Sequence, residues 1–460
     1  MARRQKLGAA DVAWLRMESP VNPMTIVGII GFEEPMKLED LKRLVEERLL
    51  IFERFRQRVV YKGPTAMWET DPHFDIDAHV HRAGLAEPNS KTSLEELVSE
   101  LMSTPLDFSK SPWQFHLVES FDGGSALIGR LHHSIGDGIA LIHVLLAMAD
   151  EMFDPARATP AYGRDRTGES LTGRLFRRAG TAIDGLGRAA AGAITTGLGA
   201  VQRPGKALEW ARQGMSMGAA ASKIALMSSD SDTRFKAPAT VVKRVAWSVP
   251  LPLGAVKAIA HGAGGKLNDV LMAAVTGALR RYLAGHGEPT AGVEIRSAIP
   301  VNLRPYERAF DLGNVFGLVF LSLPVGIAGA RERLMEIKRQ MDIIKSSAEP
   351  AVAYGILQTI GAGPALLHEQ VVEVLSSKVS AVVTNVPGPR ECLHFYGNEI
   401  RRIMFWVPRA GDIGLGVSVM SYAGTVMLGI ATDAKMAPDP EALVAAFHNE
   451  IDALTAEFGT

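Results

Sequence analysis

Between about Pro155 and Pro238 the chain drops its long apolar runs and turns to Gly, Ala, Ser and Arg. Such a composition marks an exposed connector that few contacts cross. At 460 residues the chain also exceeds what one hydrophobic core organises, about 250 residues. Two globular halves are expected, residues 1–155 and 239–460, joined by a helical or flexible connector over 156–238.

Strand and helix patterns mix in both halves. Residues 24–32 are β-branched or apolar and read as a buried strand, and residues 38–59 carry helical spacing with Leu41, Leu44, Val45 and Leu49 on one face. A helix is expected at 93–102, then strands at 112–120 and 125–131 joined by the turn Asp122-Gly123-Gly124, then a buried helix over 140–152. Past the connector the pattern predicts strands at 241–249, 293–301, 315–325, 380–385 and 417–421. Helices are predicted at 254–260, 267–282, 331–347 and 440–458. Alternation of this kind implies two α/β or α+β layers, and no solenoid-type repeat is present.

Several function classes drop out on composition. Hydrophobic residues make up 47% and charged residues 22%, a globular balance that fits neither wholesale disorder nor a membrane bundle. The formal charge of -1 supplies no field for nucleic acid, and no zinc or aromatic RNA-binding signature replaces one. A single cysteine, Cys392, can form no intramolecular disulfide, which suits a reducing compartment. The basic N-terminus is followed by Asp11, Arg16 and Glu18 rather than an apolar core, so no export signal is read, and the weakly polar run 189–201 is shorter than the roughly 20 residues that span a bilayer. The expected location is cytoplasmic.

The run Leu131-His132-His133-Ser134-Ile135-Gly136-Asp137-Gly138 falls where a strand hands over to a helix, a junction that commonly exposes polar side chains to substrate. Acyl transfer to an alcohol requires removal of the hydroxyl proton as oxygen attacks the carbonyl. Imidazole, with an ordinary pKa of about 6.5, can accept it, and such a base contributes on the order of 10²- to 10⁴-fold. Paired histidines can equally be structural, and Asp137 can equally be the N-cap of the following helix, worth about 1 kcal/mol. Spacing alone leaves these readings open.

Residues 132–138 match the HHxxxDG motif of the coenzyme A-dependent acyltransferase superfamily, and the chain most resembles the bacterial wax ester synthase/diacylglycerol acyltransferase family. The likeness continues through Asp11-Val12-Ala13-Trp14-Leu15, Pro23-Met24, Phe55-Arg56-Gln57-Arg58, residues 68–74 and Pro112-Trp113. In the second half it runs through Leu267-Asn268-Asp269-Val270, residues 301–305, Gly313-Asn314 and residues 384–389. One departure is Ser111-Pro112-Trp113 where such families usually read Pro-Leu-Trp. It weakens inferences about substrate preference and leaves the chemistry alone, because Trp113 reads as core packing.

The resemblance implies two chloramphenicol-acetyltransferase-like domains, each a mixed β-sheet with flanking helices, and an active-site tunnel at their interface. It implies an O-acyltransferase that moves a long-chain acyl group from acyl-CoA to a lipid alcohol, either diacylglycerol or a fatty alcohol. His133 would be the base, and Asp137 would turn away from substrate to hold the loop in an ion pair, with Arg304 as candidate partner. His132 would shape the tunnel or simply pack and hydrogen-bond. Gly138 would be needed because a Cβ would intrude on the chain path or strain the turn. Asn268 would hydrogen-bond an acyl or acceptor oxygen or serve only to cap its helix, and Thr384 offers a similar hydroxyl. No cofactor or metal enters this chemistry, since coenzyme A arrives as the thioester substrate.

The connector carries Arg174, Arg177, Arg178, Arg188, Arg203, Lys206, Arg212 and Lys223 among Leu175, Phe176, Ile183 and Leu186. It could lie on an anionic membrane or lipid-droplet surface, or cover the domain junction as a solvated helix. Two rival readings remain at this stage: a stand-alone condensation-type domain that takes acyl groups from a carrier protein, and a lipid-binding protein without turnover.

Overall fold

The computed structural model describes residues 4–63, 65–153, 227–304, 312–345, 349–362 and 372–459. The first half opens with β1 (Arg4–Lys6), α1 (Ala9–Met17), β2 (Thr25–Phe32) and α2 (Leu38–Leu44). The helix expected over 38–59 ends early. One wide helical turn over Val45–Leu49 and a short 3-10 turn at Glu53–Arg56 lead into β3 (Gln57–Lys62), which pairs antiparallel with β4 (Thr65–Thr70). β-Branched Val59 and Val60 favour the extended chain, and Gly63, at φ 58°, takes the turn that a Cβ would disfavour.

The half continues through β5 (Val80–Arg82), α3 (Lys91–Ser103), β6 (Trp113–Phe121), β7 (Gly124–His132) and α4 (Gly138–Leu146). Ser90 and Ser93 form a capping box that starts α3. Helix α4 is shorter than its apolar run, and residues 147–152 are turns. The second half holds β8 (Lys243–Trp247), β9 (Leu251–Pro252), α5 (Leu253–Gly262), α6 (Leu267–Gly285), β10 (Ile295–Asn302) and β11 (Phe316–Leu323). After these come α7 (Ala330–Lys345), α8 (Glu349–Ala362), β12 (Ala381–Pro387), β13 (His394–Phe395) and β14 (Asn398–Trp406). It closes with β15 (Leu415–Tyr422), β16 (Thr425–Asp433) and α9 (Pro440–Phe458).

Two mixed sheets result. One runs β13-β14-β2-β7-β6-β5 and the other β11-β10-β12-β15-β16-β8, with β9 beside β16. In the first only β5 and β6 are parallel; in the second β12 is parallel to both neighbours. The sheets do not respect the division at the connector. Strand β14 of the second half pairs with β2 from Trp406/Val27 to Ile400/Phe32, so the first sheet is completed from the second half.

Helix α3 returns the exchange at the edge of the second sheet. The backbone N–H groups of Trp247, Val245 and Lys243 donate to Glu95 Oε1 (3.0 Å), Ser99 Oγ (3.0 Å) and Ser103 Oγ (2.9 Å). Four helical residues rise about 6 Å and two strand residues about 6.7 Å, so alternate N–H groups of an edge strand meet every fourth side chain of a helix. Each serine hydroxyl also donates to the carbonyl four residues back. The open edge of β8 is thereby covered. Trp113, Phe115 and Val98 share one core with Trp406 and Met420. Among the described residues no helix is long and apolar enough to cross a membrane, and the basic stretch at 174–223 lies outside them.

Candidate active site

Strand β7 delivers His132 at its end, and Asp137 caps α4, with the Ala140 N–H donating to Asp137 Oδ1 at 2.9 Å. Four residues are left to connect them. Their backbone is clamped from both sides: His133 N–H donates to Met24 O at 2.8 Å, while Gly313 N–H donates to Ile135 O (3.1 Å) and Asp137 N–H to Gly313 O (3.2 Å). Gly313 makes this bridge at φ 109°, a conformation reserved for residues without a Cβ.

The His133 ring is buried, stacked on Trp14 at 3.8 Å and 16°, and 5.8 Å from Phe316. Its Nδ1 lies 2.8 Å from Asn314 Oδ1. The orientation of that amide is fixed by its other end, because Asn314 Nδ2 donates to Asp11 Oδ1 and to His133 O, both at 2.8 Å. Oδ1 must therefore accept, so Nδ1 carries the ring proton and Nε2 keeps its lone pair. Nε2 has no partner among the described residues, and the ring lines a cavity. Burial pushes the His133 pKa down to about 3, against hydrogen bonds that raise it, so the imidazole is neutral. Asp11 accepts a second bond from the Asn314 N–H at 3.0 Å, and burial holds its pKa above the usual carboxylate range.

Asp137 satisfies both of its sequence readings. Oδ1 caps the helix, while Oδ2 accepts from Arg304 Nη2 at 2.8 Å and from the Val315 N–H at 3.1 Å. Arg304 Nη2 also donates to Gly313 O at 2.6 Å. The carboxylate is thus consumed in joining the loop to the second half. His132 is fully buried, and its Nδ1 accepts from the Ser134 N–H at 3.1 Å. Its Nε2 lies 3.3 Å from Glu18 Oε2 without good hydrogen-bond alignment. It is absent from the cavity wall, which supports the packed reading over tunnel shaping.

The cavity, about 190 Å³, lies between the halves, with Trp14, His133 and Gly138 on one side and Phe316, Leu318 and Thr384 from the second sheet. Two expectations need correcting. Asn268 is exposed and does not line the cavity; its Oδ1 accepts from Asn385 Nδ2 at 2.6 Å, so it reaches the site only through a lining neighbour. The helix-start role falls to Asp269, whose Oδ2 accepts the Lys266 N–H at 2.8 Å. Gly138 is not required by strain: its φ is not in the left-handed region, and a Cβ there would find only Val407 Cγ1, at 4.0 Å. What such a Cβ would meet is the cavity itself. Trp113 is core, as expected, with its Nε1 donating to Phe55 O at 2.8 Å.

A sequence profile described as the wax ester synthase/diacylglycerol acyltransferase catalytic domain matches residues 7–271, and the C-terminal domain of the same family matches residues 312–455. The chain belongs to that family. It is 27% identical over 418 residues to a Mycobacterium tuberculosis H37Rv protein named as a diacylglycerol O-acyltransferase, covering 89% of this chain and 86% of that one. A second H37Rv protein of the same description is 30% identical over 402 residues, 83% of this chain and 78% of the other. The wax ester synthase/diacylglycerol acyltransferase of Marinobacter aquaeolei VT8 shares the fold, with a TM-score of 0.70, 20% identity, and coverage of 99% and 100% of the two chains. A condensation domain of the calcium-dependent antibiotic synthetase also shares it, at a TM-score of 0.60 and 13% identity over 98% and 95%.

Three site residues had no role assigned from sequence: Asp11, Trp14 and Asn314. All lie in segments that carry the family likeness, and that likeness was the only signal. No local pattern announces that an asparagine 181 residues beyond a histidine will orient its ring.

Proposed function

We propose that His133 is the general base of an O-acyl transfer from acyl-CoA to a lipid alcohol. As a member of its family the chain is an acyl-CoA-dependent O-acyltransferase. The observation that supports His133 is its tautomer: with Nδ1–H committed to Asn314, Nε2 is the one ring atom left to take a proton at the cavity. The acceptor hydroxyl passes its proton to Nε2 as its oxygen bonds the thioester carbon. Collapse of the tetrahedral adduct breaks the C–S bond, and the proton on Nε2 goes to the thiolate, giving ester and coenzyme A thiol.

A base held near 3 is weak when the site is empty. In the transition state, however, imidazolium and oxyanion arise together, and in a dry cavity their attraction is strong. Trp14 gives the cation a π-face, and the Asp11 carboxyl stands behind Asn314. Thr384, buried on the cavity wall, is the proposed donor to the oxyanion. No cofactor takes part. The basic, apolar-interleaved sequence of the connector supports peripheral contact with an anionic membrane or lipid droplet, tested by flotation with phosphatidylglycerol vesicles.

The deciding experiment incubates labelled palmitoyl-CoA with hexadecanol and with dioleoylglycerol, separating wax ester from triacylglycerol. His133→Ala should abolish thiol release while fold and acyl-CoA binding persist. Undiminished turnover in that variant would remove His133 as the base.

A further inference from the structure

We infer that strands β10 and β11 form a ruler for the alkyl chain of one substrate, with Phe320 as its end stop; the inference rests on the acyl-transfer reading above. Alternate residues of a strand share a face, so Phe316, Leu318, Phe320 and Ser322 stand in a row on β11. The antiparallel register sets Asn302, Pro300, Ala298 and Arg296 of β10 beside them, in that order. Each cross-strand pair is one rung.

The first three rungs line the cavity that His133 lines. The row starts at the base, since the Phe316 ring is 5.8 Å from the His133 ring. The fourth rung, Arg296 with Ser322, does not belong to that cavity. It lines a separate outer pocket of about 530 Å³, together with Gln340, Ile343 and Ile344 of α7. Phe320 stands in both walls, and it is the one residue the two spaces share.

The chemistry changes at the same place. Cavity-lining residues up to Phe320 are mostly apolar, and Phe320 packs with Ala298, Val352 and Val379. Beyond it, Arg296 Nη1 donates to Ser228 O (2.9 Å) and Lys378 O (2.8 Å), and Ser322 Oγ donates to Glu294 Oε2 (2.6 Å). From Phe316 to Phe320 the strand advances four residues, ~13 Å. An alkyl chain whose reacting end sits at His133 and which follows the ribbon therefore runs over mostly apolar rungs and ends against Phe320. A longer chain must displace that ring or fold back.

The test uses two series. Octanoyl-, lauroyl-, palmitoyl- and arachidoyl-CoA are compared with one fixed alcohol, and octanol through eicosanol with one fixed acyl-CoA, reading kcat/KM for the wild type, Phe320→Ala, Phe320→Leu and Ala298→Leu. Opening the wall with Phe320→Ala should favour the longest members of one series, roughly fourfold per extra methylene buried. Ala298→Leu, which thickens the same rung from β10, should shift that series toward shorter chains. The series that responds identifies whose chain the ribbon measures, donor or acceptor. Should Phe320→Ala not fold, Phe320→Leu and Ala298→Leu still carry opposite expected signs. Unchanged length profiles in both series, with active variants, overturn the ruler. A wild-type protein inactive toward every donor and acceptor instead overturns the acyl-transfer reading on which it rests.

Discussion

Asn314→Leu isolates the tautomer argument from the rest of the site. The substitution keeps bulk beside the ring and removes the only acceptor that Nδ1–H has among the described residues. A buried N–H without an acceptor costs about 1–3 kcal/mol. The ring can avoid that cost by moving its proton to Nε2, the side that must be unprotonated to act as base. Either outcome raises the barrier by a similar amount, so kcat should fall roughly 5- to 150-fold, with a much smaller change in KM for acyl-CoA. Asn314→Asp is the control. It keeps an oxygen opposite Nδ1 and places a carboxyl next to Asp11, where two adjacent carboxyls share one proton. Its kcat should stay well above that of Asn314→Leu, with the acid limb of its pH profile moved to higher pH because a carboxylate now favours the imidazolium. Steady-state kinetics across pH, together with ¹⁵N shifts of the His133 ring, read both effects. A folded Asn314→Leu variant with kcat within twofold of wild type would refute the reasoning, and equal losses in both variants would reduce Asn314 to a packing role.

Asp137→Asn should leave Arg304 with a buried, poorly matched charge and destabilise the fold by about 3–5 kcal/mol, read by denaturant titration, while a refolded fraction keeps measurable turnover; normal stability with no turnover would make Asp137 part of the chemistry. Activity should persist as pH falls through 6.5, since the proposed base, His133, stays neutral down to a pKa of about 3. Stability behaves otherwise. His133 at about 3 and His116 at about 4 regain a pKa of about 6.5 when unfolded, so the unfolded chain binds the extra protons between those values, and stability complete above about 6.5 drains away as pH drops. Gly138→Ala should fold as well as wild type or better, by up to about 1 kcal/mol, yet raise KM for the lipid substrate; a misfolded protein would restore the strain reading. Ser99→Ala strips the acceptor from the buried Val245 N–H and should cost about 1–3 kcal/mol in thermal or denaturant unfolding.

Most of the secondary structure was legible wherever burial imposed a clean period. Strand β2, strands β6 and β7 around the Asp122-Gly123 turn, and helix α9 behind Pro440 all fall within a residue or two of expectation. Strand β14 was missed for a physical reason. A register shift between Ile400 and Arg402 breaks its alternation, and Arg401 and Arg402 in its middle read as surface because they serve ion pairs with Glu33 and Asp122. The helix read through 38–59 failed because apolar residues past Leu49 keep appearing while the chain switches from a 3.6 to a 2.0 period, a change that short windows blur. At the site, the motif marks the positions of His133 and Asp137, and the resemblance points to the Asp137–Arg304 pair that the structure forms and to Thr384, which lines the cavity. Asn268 was misplaced by one contact, since the residue on the wall is Asn385.

What sequence could not supply is the part of the site that exists only when the halves meet. The hydrogen-bond path from Asp11 to Asn314 to His133 enters from the first half, crosses to the second and returns, and the Asp137–Arg304 pair crosses at the same seam. Each group alone is ordinary: a carboxyl at the start of a helix, an amide after a glycine, an arginine after a strand. Their joint effect is to decide which nitrogen of one ring is basic. The proposed base, its tautomer set by the opposite half, is competent only while the seam is closed, and the seam is closed by elements remote from it, β14 in the first sheet and α3 against β8 of the second. Loosening either clasp should therefore lower kcat before it unfolds the chain, because the asparagine that orients His133 departs with the half that carries it.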